Sequence, residues 1–356
     1  MAEHVMVVTG GVDTHKDVHA VAALDGIGRV LGTETFPTTV AGQADLIAWL
    51  ASHGPLGRVG VEGTGSWGKN LARSLAGAGV EVIEVQRPSR QHIRRHGKSD
   101  PTDAIAAARS VLADDATGSA KTATGPAESV RLLRAVRSSA MKARTACGNQ
   151  IHAVVATAPD TVRGQLRDLK LAKLVEAAAR FRIVGALTTP DAAARWSLRQ
   201  LARRYQTLTA EIADVDGELA TVVAAAAPPK LLCEPGIGID VAGAIVTAVG
   251  DNPQRLATDA TFAALAGTSP VDASSGKQRR HRLNRGGNRE LNNAIWRVVM
   301  VRLRWDDTTK AYMPRRTAEG KTKKEIVRCL KRYVARRIWT IYRDHLSVTD
   351  VIPVAA

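Results

Sequence analysis

Short apolar runs broken by glycines and turn residues fill the first third of the chain, and longer stretches with a three-to-four-residue period follow. Residues 5–8 and 11–13 read as a first strand and 18–24 as a second. Asp25-Gly26-Ile27-Gly28 supplies a hairpin turn to a third strand over 29–36, closed by Pro37. Residues 41–52 carry Leu46, Ile47 and Leu50 on one side of an amphipathic helix. A fourth strand is expected over 58–62, a helix over 66–78 after a Gly-Thr-Gly turn, and a fifth strand over 80–85. The order βββαβαβ fits a mixed sheet, but pattern alone does not choose among α/β folds.

After a small, polar, Gly/Pro-punctuated stretch at 115–128, which reads as a linker, the period changes. Leu198, Leu201, Tyr205, Leu208, Ile212, Val215, Leu219 and Val222 alternate spacings of three and four without a break, which is a heptad seam. Leu133, Val136, Ala140, Ala143 and Cys147 repeat the spacing with smaller residues. The two segments can pair as a helical hairpin or serve as a dimer seam. AAAAPPK at 224–230 marks a second boundary, and Pro235-Gly-Ile-Gly238 then separates two further helices. In the tail, Ile326, Leu330, Val334, Ile338 and Ile341 recur at helical spacing among many basic residues. Three regions result: 1–125, 126–228 and 229–356.

Carboxylates placed against this pattern suggest chemistry. Asp13 and Glu62 each end a β-branched run, so each is expected near the end of a buried strand, where a lone carboxylate is costly unless paired or metal-bound. In KSDPTDAIAAAR (98–109), Asp100 and Asp103 stand three apart at a helix start, with Pro101 suited to the first turn. Carboxylates at i and i+3 share a face and can approach one divalent cation. The same residues also make a good cap, with negative charge at the positive end of the helix dipole. Asp13, Glu62, Asp100 and Asp103 together form a four-carboxylate set whose mutual repulsion a cation relieves. Oxygen ligands favour Mg²⁺ or Mn²⁺ over Zn²⁺.

Composition narrows the partners. The chain has 356 residues and a net charge of +16, with 4% aromatics. So few aromatics argue against a single-strand binder of the RRM type. No apolar run spans a membrane, no signal peptide is expected from the N-terminus, and Cys147, Cys233 and Cys329 are too scattered for a paired metal site. A reducing cytoplasm fits. Region 1–125 holds 12 Lys+Arg against 13 Asp+Glu, 126–228 holds 15 against 9, and 229–356 holds 23 against 12. A near-neutral module is thus followed by modules that can grip a polyanion. Candidate phosphate contacts are Arg94 and Arg95 before the Asp-x-x-Asp helix, and Lys277, Arg279, Arg280, Arg282 and Arg285 after the Ser274-Ser275-Gly276 loop.

The order Asp…Glu…Asp-x-x-Asp, carried by GVDTHKD, VEGTG and KSDPTDA, resembles the RuvC-like, ribonuclease-H-fold domain of DEDD transposases. PGIG (235–238), LAGTSP (265–270) and SSGKQRRHRLNRGGNRELNNAIW (274–296) resemble the C-terminal domain of the same proteins. Together they point to the bacterial insertion-sequence family numbered one hundred and ten, whose recombinases are guided by a bridge RNA. The resemblance implies an α/β ribonuclease-H-like N-terminal domain, a helical coiled-coil region and a mainly α-helical C-terminal transposase domain. It implies cutting and rejoining of donor and target DNA by a serine nucleophile assisted by Mg²⁺ held by the four acids. Counting from Pro270 places that serine at Ser275, with Ser274 as rival. It also implies a structured guide RNA, a homo-oligomer (dimer or tetramer), and action at the bacterial nucleoid in the cytoplasm. The rival reading is a RuvC-like, metal-dependent junction nuclease that uses water, with Ser275 structural. A third is a non-catalytic nucleic-acid-binding relic.

Overall fold

The computed structural model describes residues 7–85, 99–116, 118–274 and 280–349. Contacts divide the chain into two compact units. One comprises Met1–Glu128, Val249–Ala264 and Tyr342–Ala356, and the other Ser129–Ala248 and Leu265–Ile341.

The first unit is a five-stranded mixed sheet in the order β3-β2-β1-β4-β5, built from β1 (Val8–Thr14), β2 (Val18–Leu24), β3 (Val30–Pro37), β4 (Leu56–Glu62) and β5 (Glu81–Val85). β1 pairs antiparallel with β2 and parallel with β4, and β4 pairs parallel with β5. This is the ribonuclease-H-like mixed sheet that the sequence led us to expect. The β2–β3 turn forms as expected, with the Asp25 carboxylate accepting from the Ile27 and Arg29 N–H groups at 3.1 and 2.8 Å. β1 runs unbroken from Val8 to Thr14, through the Thr9-Gly10 pair that the sequence reading left out of this strand.

Glycines set the thickness of the sheet. Helices α1 (Val40–Ser52) and α2 (Lys69–Gly77) cover one face, where Val12, Val21, Leu46, Leu50, Val59, Val61, Leu71 and Leu75 form the main core. Helix α3 (Asp100–Leu112) covers the other face, with Ala104 and Ala108 against Ala22 and Leu24, and Ala107 and Val111 against Ile83 and Val85. A Cβ on Gly11 would lie 2.2 Å from the Ala104 carbonyl oxygen and 2.3 Å from the Ala108 nitrogen. A Cβ on Gly60, in the neighbouring strand, would lie 2.9 Å from the Ala107 carbonyl oxygen. The helix backbone therefore rests directly on two strands, which only glycine permits. Part of the expected linker is also ordered against this unit. Ala120 N–H donates to Val82 O at 3.1 Å, and Glu84 N–H donates to Gly118 O at 2.7 Å.

The second unit is helical apart from a two-residue ribbon. Helices α4 (Pro126–Thr157) and α7 (Pro190–Ala226) form an antiparallel hairpin, shown by the Cys147 thiol donating to Leu201 O and by an Arg137–Asp216 ion pair at 2.5 Å. Of the expected seam, Leu198, Ile212 and Leu219 are buried, and the other five positions are half-buried. Helices α5 (Asp160–Leu166) and α6 (Leu171–Ala179) close the hairpin's end over Ile151, Val162, Leu174 and Leu198. The short α8 (Pro229–Leu232) and α9 (Ile239–Val249) flank the Pro-Gly-Ile-Gly turn, where Gly236 takes φ +83°. After α10 (Asp259–Leu265) comes the ribbon of β6 (Val271–Asp272) and β7 (His281–Arg282), followed by α11 (Arg289–Trp305), α12 (Asp307–Ala318) and α13 (Lys323–Thr349). The five tail positions from Ile326 to Ile341 are all buried, as their spacing predicts. Among the described residues no helix is long and apolar enough to cross a membrane.

Candidate metal centre

Alternation along β1 puts Gly11 and Asp13 on the same face, the one α3 covers, and His15 continues the same parity past the strand end. In β4, Gly60 and Glu62 share that face, and the Val12–Val61 register sets Glu62 beside Asp13. The Thr14 hydroxyl points the other way and donates to Glu62 O at 2.9 Å, which fixes the ends of the two strands to each other. α3 lies on Gly11 and Gly60, so its first turn arrives at these strand ends.

Three side chains converge there. His15 Nε2 lies 3.1 Å from Asp13 Oδ2 and 3.4 Å from Asp100 Oδ1. One ligand atom from each of Asp13, His15 and Asp100 lies within 4.8 Å of the other two. The Asp13 side chain is 10% exposed, and those of His15 and Asp100 are 44% and 50% exposed. The site thus has one rigid, buried carboxylate and an open rim that a polymer can reach. Two carboxylates and an imidazole around one point leave excess negative charge, so the set fits a divalent cation. Its mixed oxygen and nitrogen donors do not single out Mg²⁺.

On the opposite face of the sheet from Asp13, His19 of β2 pairs with Thr14 across the strands and is fully buried, with neither ring nitrogen hydrogen-bonded. Burial lowers its pKa, with the neighbouring His15 acting in the same direction and Asp13 opposing both. Its environment therefore favours the neutral ring.

The expectation of a four-carboxylate Mg²⁺ site serving a serine nucleophile is corrected here. The converging group is Asp13, His15 and Asp100, and it contains an imidazole. Glu62 and Asp103 are buried, at 8% and 9% exposure, and stand outside that group. Helix α3 explains the split. Ser99 holds the N-cap position without a side-chain cap bond, Asp100 opens the helix at the rim, and Asp103 sits most of a turn further along and is buried. The cap falls on Ser99, where the sequence had offered Asp100. The Ser274 hydroxyl is committed to the ribbon, donating to Asp272 Oδ1 at 2.5 Å and accepting from the Arg280 N–H at 3.2 Å. Ser275, Lys277, Arg279, Arg94 and Arg95 lie outside the described residues. Arg280, Arg282 and Arg285 are exposed in the second unit. The sequence reading missed His15. Asp-x-His at a strand end is the signal that could have found it, because a period of two places both side chains on one face.

Comparisons with known proteins agree with this fold. A family model for DEDD transposases of the IS110 type, described as a transposase, matches residues 10–158. A second model, described as the transposase IS116/IS110/IS902 family, matches residues 230–314. The chain is 31% identical over 117 residues to the insertion element IS110 43.6 kDa protein of Streptomyces coelicolor, covering 33% of this chain and 29% of that protein. It is 26% identical over 148 residues to the insertion element IS900 42 kDa protein of Mycobacterium paratuberculosis, covering 41% of this chain and 37% of that one. The matched segments thus span about a third of the length of these relatives. The chain belongs to the IS116/IS110/IS902 family of insertion-sequence transposases.

Proposed function

We propose that the first unit cleaves DNA strands by metal-dependent attack of water on a phosphodiester, as the chemical step of transposition. The observation that carries this reading is the convergence of Asp13, His15 and Asp100 at a solvent-open strand end. A divalent cation there, Mg²⁺ or Mn²⁺, would stabilise charge developing on the phosphate. Asp13 supplies the fixed point, because β1 is buried along its whole length. Asp100 enters from the start of α3, where the helix N-terminus favours an anionic group. His15, on the turn leaving β1, completes the donor set and leaves the outward side open to a strand. Hydrolysis that leaves a 3′-hydroxyl end prepares the joining step, since that hydroxyl can attack a second phosphodiester in the same manner.

The excess of 23 Lys+Arg over 12 Asp+Glu in region 229–356 supports DNA as substrate and supplies charge for a structured RNA as a further partner. The half-buried seam positions Leu201, Leu208 and Val215 support self-association alongside the hairpin they already serve. The working division remains 1–125 for catalysis, 126–228 for helical association and 229–356 for nucleic-acid grip.

The test is cleavage in ¹⁸O-water with Mg²⁺ or Mn²⁺. Label in the product phosphate and loss of cleavage in Asp13→Asn and Asp100→Asn are expected. A DNA–protein adduct that survives denaturation, with no label in the product, would overturn the water mechanism.

A further inference from the structure

A cavity of about 470 Å³ opens in the second unit between the ribbon, the loop at 267–270 and the helices α12 and α13. Its size falls within the range of about 300–1,000 Å³ typical of small-ligand sites. That volume is enough for one nucleotide. Its walls have two characters. Leu283, Pro270 and the rings of Tyr312 and Tyr333 are apolar, whereas Arg280, Arg282, Lys321 and Arg328 are cationic. The carboxylate among the lining residues is Glu325, and it is engaged at the start of α13, accepting from Thr322 N–H at 2.9 Å and from the Thr322 hydroxyl at 2.7 Å.

Two details make this more than a basic surface. The Tyr312 and Tyr333 rings meet edge to face at 5.8 Å, and the Arg315 and Arg316 guanidiniums lie over Tyr312 at 5.2 and 5.6 Å. Tyr333 is nonetheless 55% exposed, which leaves much of its surface open. Lys331, 8% exposed, anchors the inner wall, and Asn292 Oδ1 takes one of its three ammonium donors at 2.5 Å. Asn292 is itself held, donating to Ala266 O at 2.7 Å. Burial lowers the Lys331 pKa, and an incoming anion would reverse that shift by compensating the charge. Burial, then Cys329 and Tyr333, push the Tyr312 phenol up to about 12, so it stays neutral and does not repel a phosphate.

We infer that this cavity holds one unpaired nucleotide, its base against Tyr333 and its phosphate among Arg282, Arg328 and Lys331. Aromatic surface beside clustered cations is the chemistry that single strands use, and it stacks any base. The nucleotide can be free or part of a strand. The site lies in a different compact unit from the metal centre and does not depend on how that centre works.

The test uses the full chain and a fluorescein-labelled single-stranded DNA pentamer in an anisotropy titration. AMP, inorganic phosphate and a short duplex serve as competitors. Tyr333→Ala should weaken pentamer binding about tenfold, as loss of one stacked base predicts. Tyr333→Phe should bind normally, and duplex affinity should change less than twofold in both. Arg282→Glu, at an exposed position, is a second variant and should also weaken the pentamer. Displacement by AMP points to a free nucleotide as the source, and displacement by oligonucleotide alone points to a strand. Equal displacement by AMP and inorganic phosphate, or unchanged pentamer affinity in a folded Tyr333→Ala protein, would overturn the inference.

Discussion

Gly11→Ala should disable the metal centre without touching any of its ligands. The added methyl would lie 2.2 Å from the Ala104 carbonyl oxygen and 2.3 Å from the Ala108 nitrogen, so it meets helix backbone that no rotamer change can move aside. Ordinary contact needs roughly 3.4 Å, so α3 must lift or slide by about 1 Å. Overpacking of this kind costs about 1–3 kcal/mol, partly offset by roughly 0.5–1 kcal/mol from replacing a strand glycine. The fold should therefore survive, with a Tm lowered by several degrees. Function should suffer more, because Asp100 rides on the displaced helix while Asp13 and His15 stay on β1 and its turn. A displacement of about 1 Å in a reacting constellation costs on the order of a hundredfold in rate. Calorimetric titration with Mn²⁺, strand-cleavage rates and thermal unfolding would be read together. Gly26→Ala is the control, because a Cβ there meets nothing within 4 Å. Native Mn²⁺ affinity and cleavage in a folded Gly11→Ala protein would refute the idea that close seating of α3 assembles the site.

Substitutions at two further positions probe the first unit. His15→Ala should weaken Mn²⁺ binding at least tenfold in the same titration, and His15→Asp should shift preference toward Mg²⁺ by making the set all-oxygen; unchanged Mn²⁺ affinity in His15→Ala would remove the imidazole from the site. Burial, reinforced by Arg255, pulls the Lys121 pKa down to about 8, well below its unfolded value. A depressed folded pKa means the unfolded chain binds the extra proton, so stability should rise as pH climbs from about 8 to about 10.5. Lys121→Met should remove that slope and raise stability at pH 7 by about 1–3 kcal/mol in urea unfolding; a less stable variant at pH 7 would show that the ammonium's partners outweigh its burial.

Much of the first unit was legible because its signals are local. The Asp25–Gly28 turn needs only its own residues, and β2 has the bounds its apolar run suggests. The role of Gly11 was hidden for the opposite reason. The sequence places it in the strand, but what requires a glycine there is the backbone at Ala104 and Ala108, more than ninety residues away. The 115–128 stretch likewise has linker composition, yet backbone groups at Gly118 and Ala120 find partners on β5. The heptad seam was plain in sequence. That α4 would cover part of it depended on a pairing that spacing alone left open between hairpin and dimer.

The acid motif shows most directly where reading a sequence stops. Asp100 and Asp103 satisfy the i, i+3 rule equally well, and so do the metal and capping readings of them. What separates them is depth. Three residues along a helix amount to about 4.5 Å of rise and about 300° of rotation. At the end of a sheet that step is enough to carry one carboxylate from the open rim to 9% exposure. Which of the two meets Asp13 then depends on how low the helix sits and where its first turn begins. Gly11 and Gly60 set the height, and the helix starts right after Ser99, with Pro101 in its first turn. The spacing of carboxylates therefore named candidate ligands, whereas the seating of the helix that presents them rests on two glycines with no ligand chemistry of their own. His15 follows the same logic. It joins the site because β1 stays extended through Asp13, so the next residue of the same parity, at the turn, faces the incoming helix.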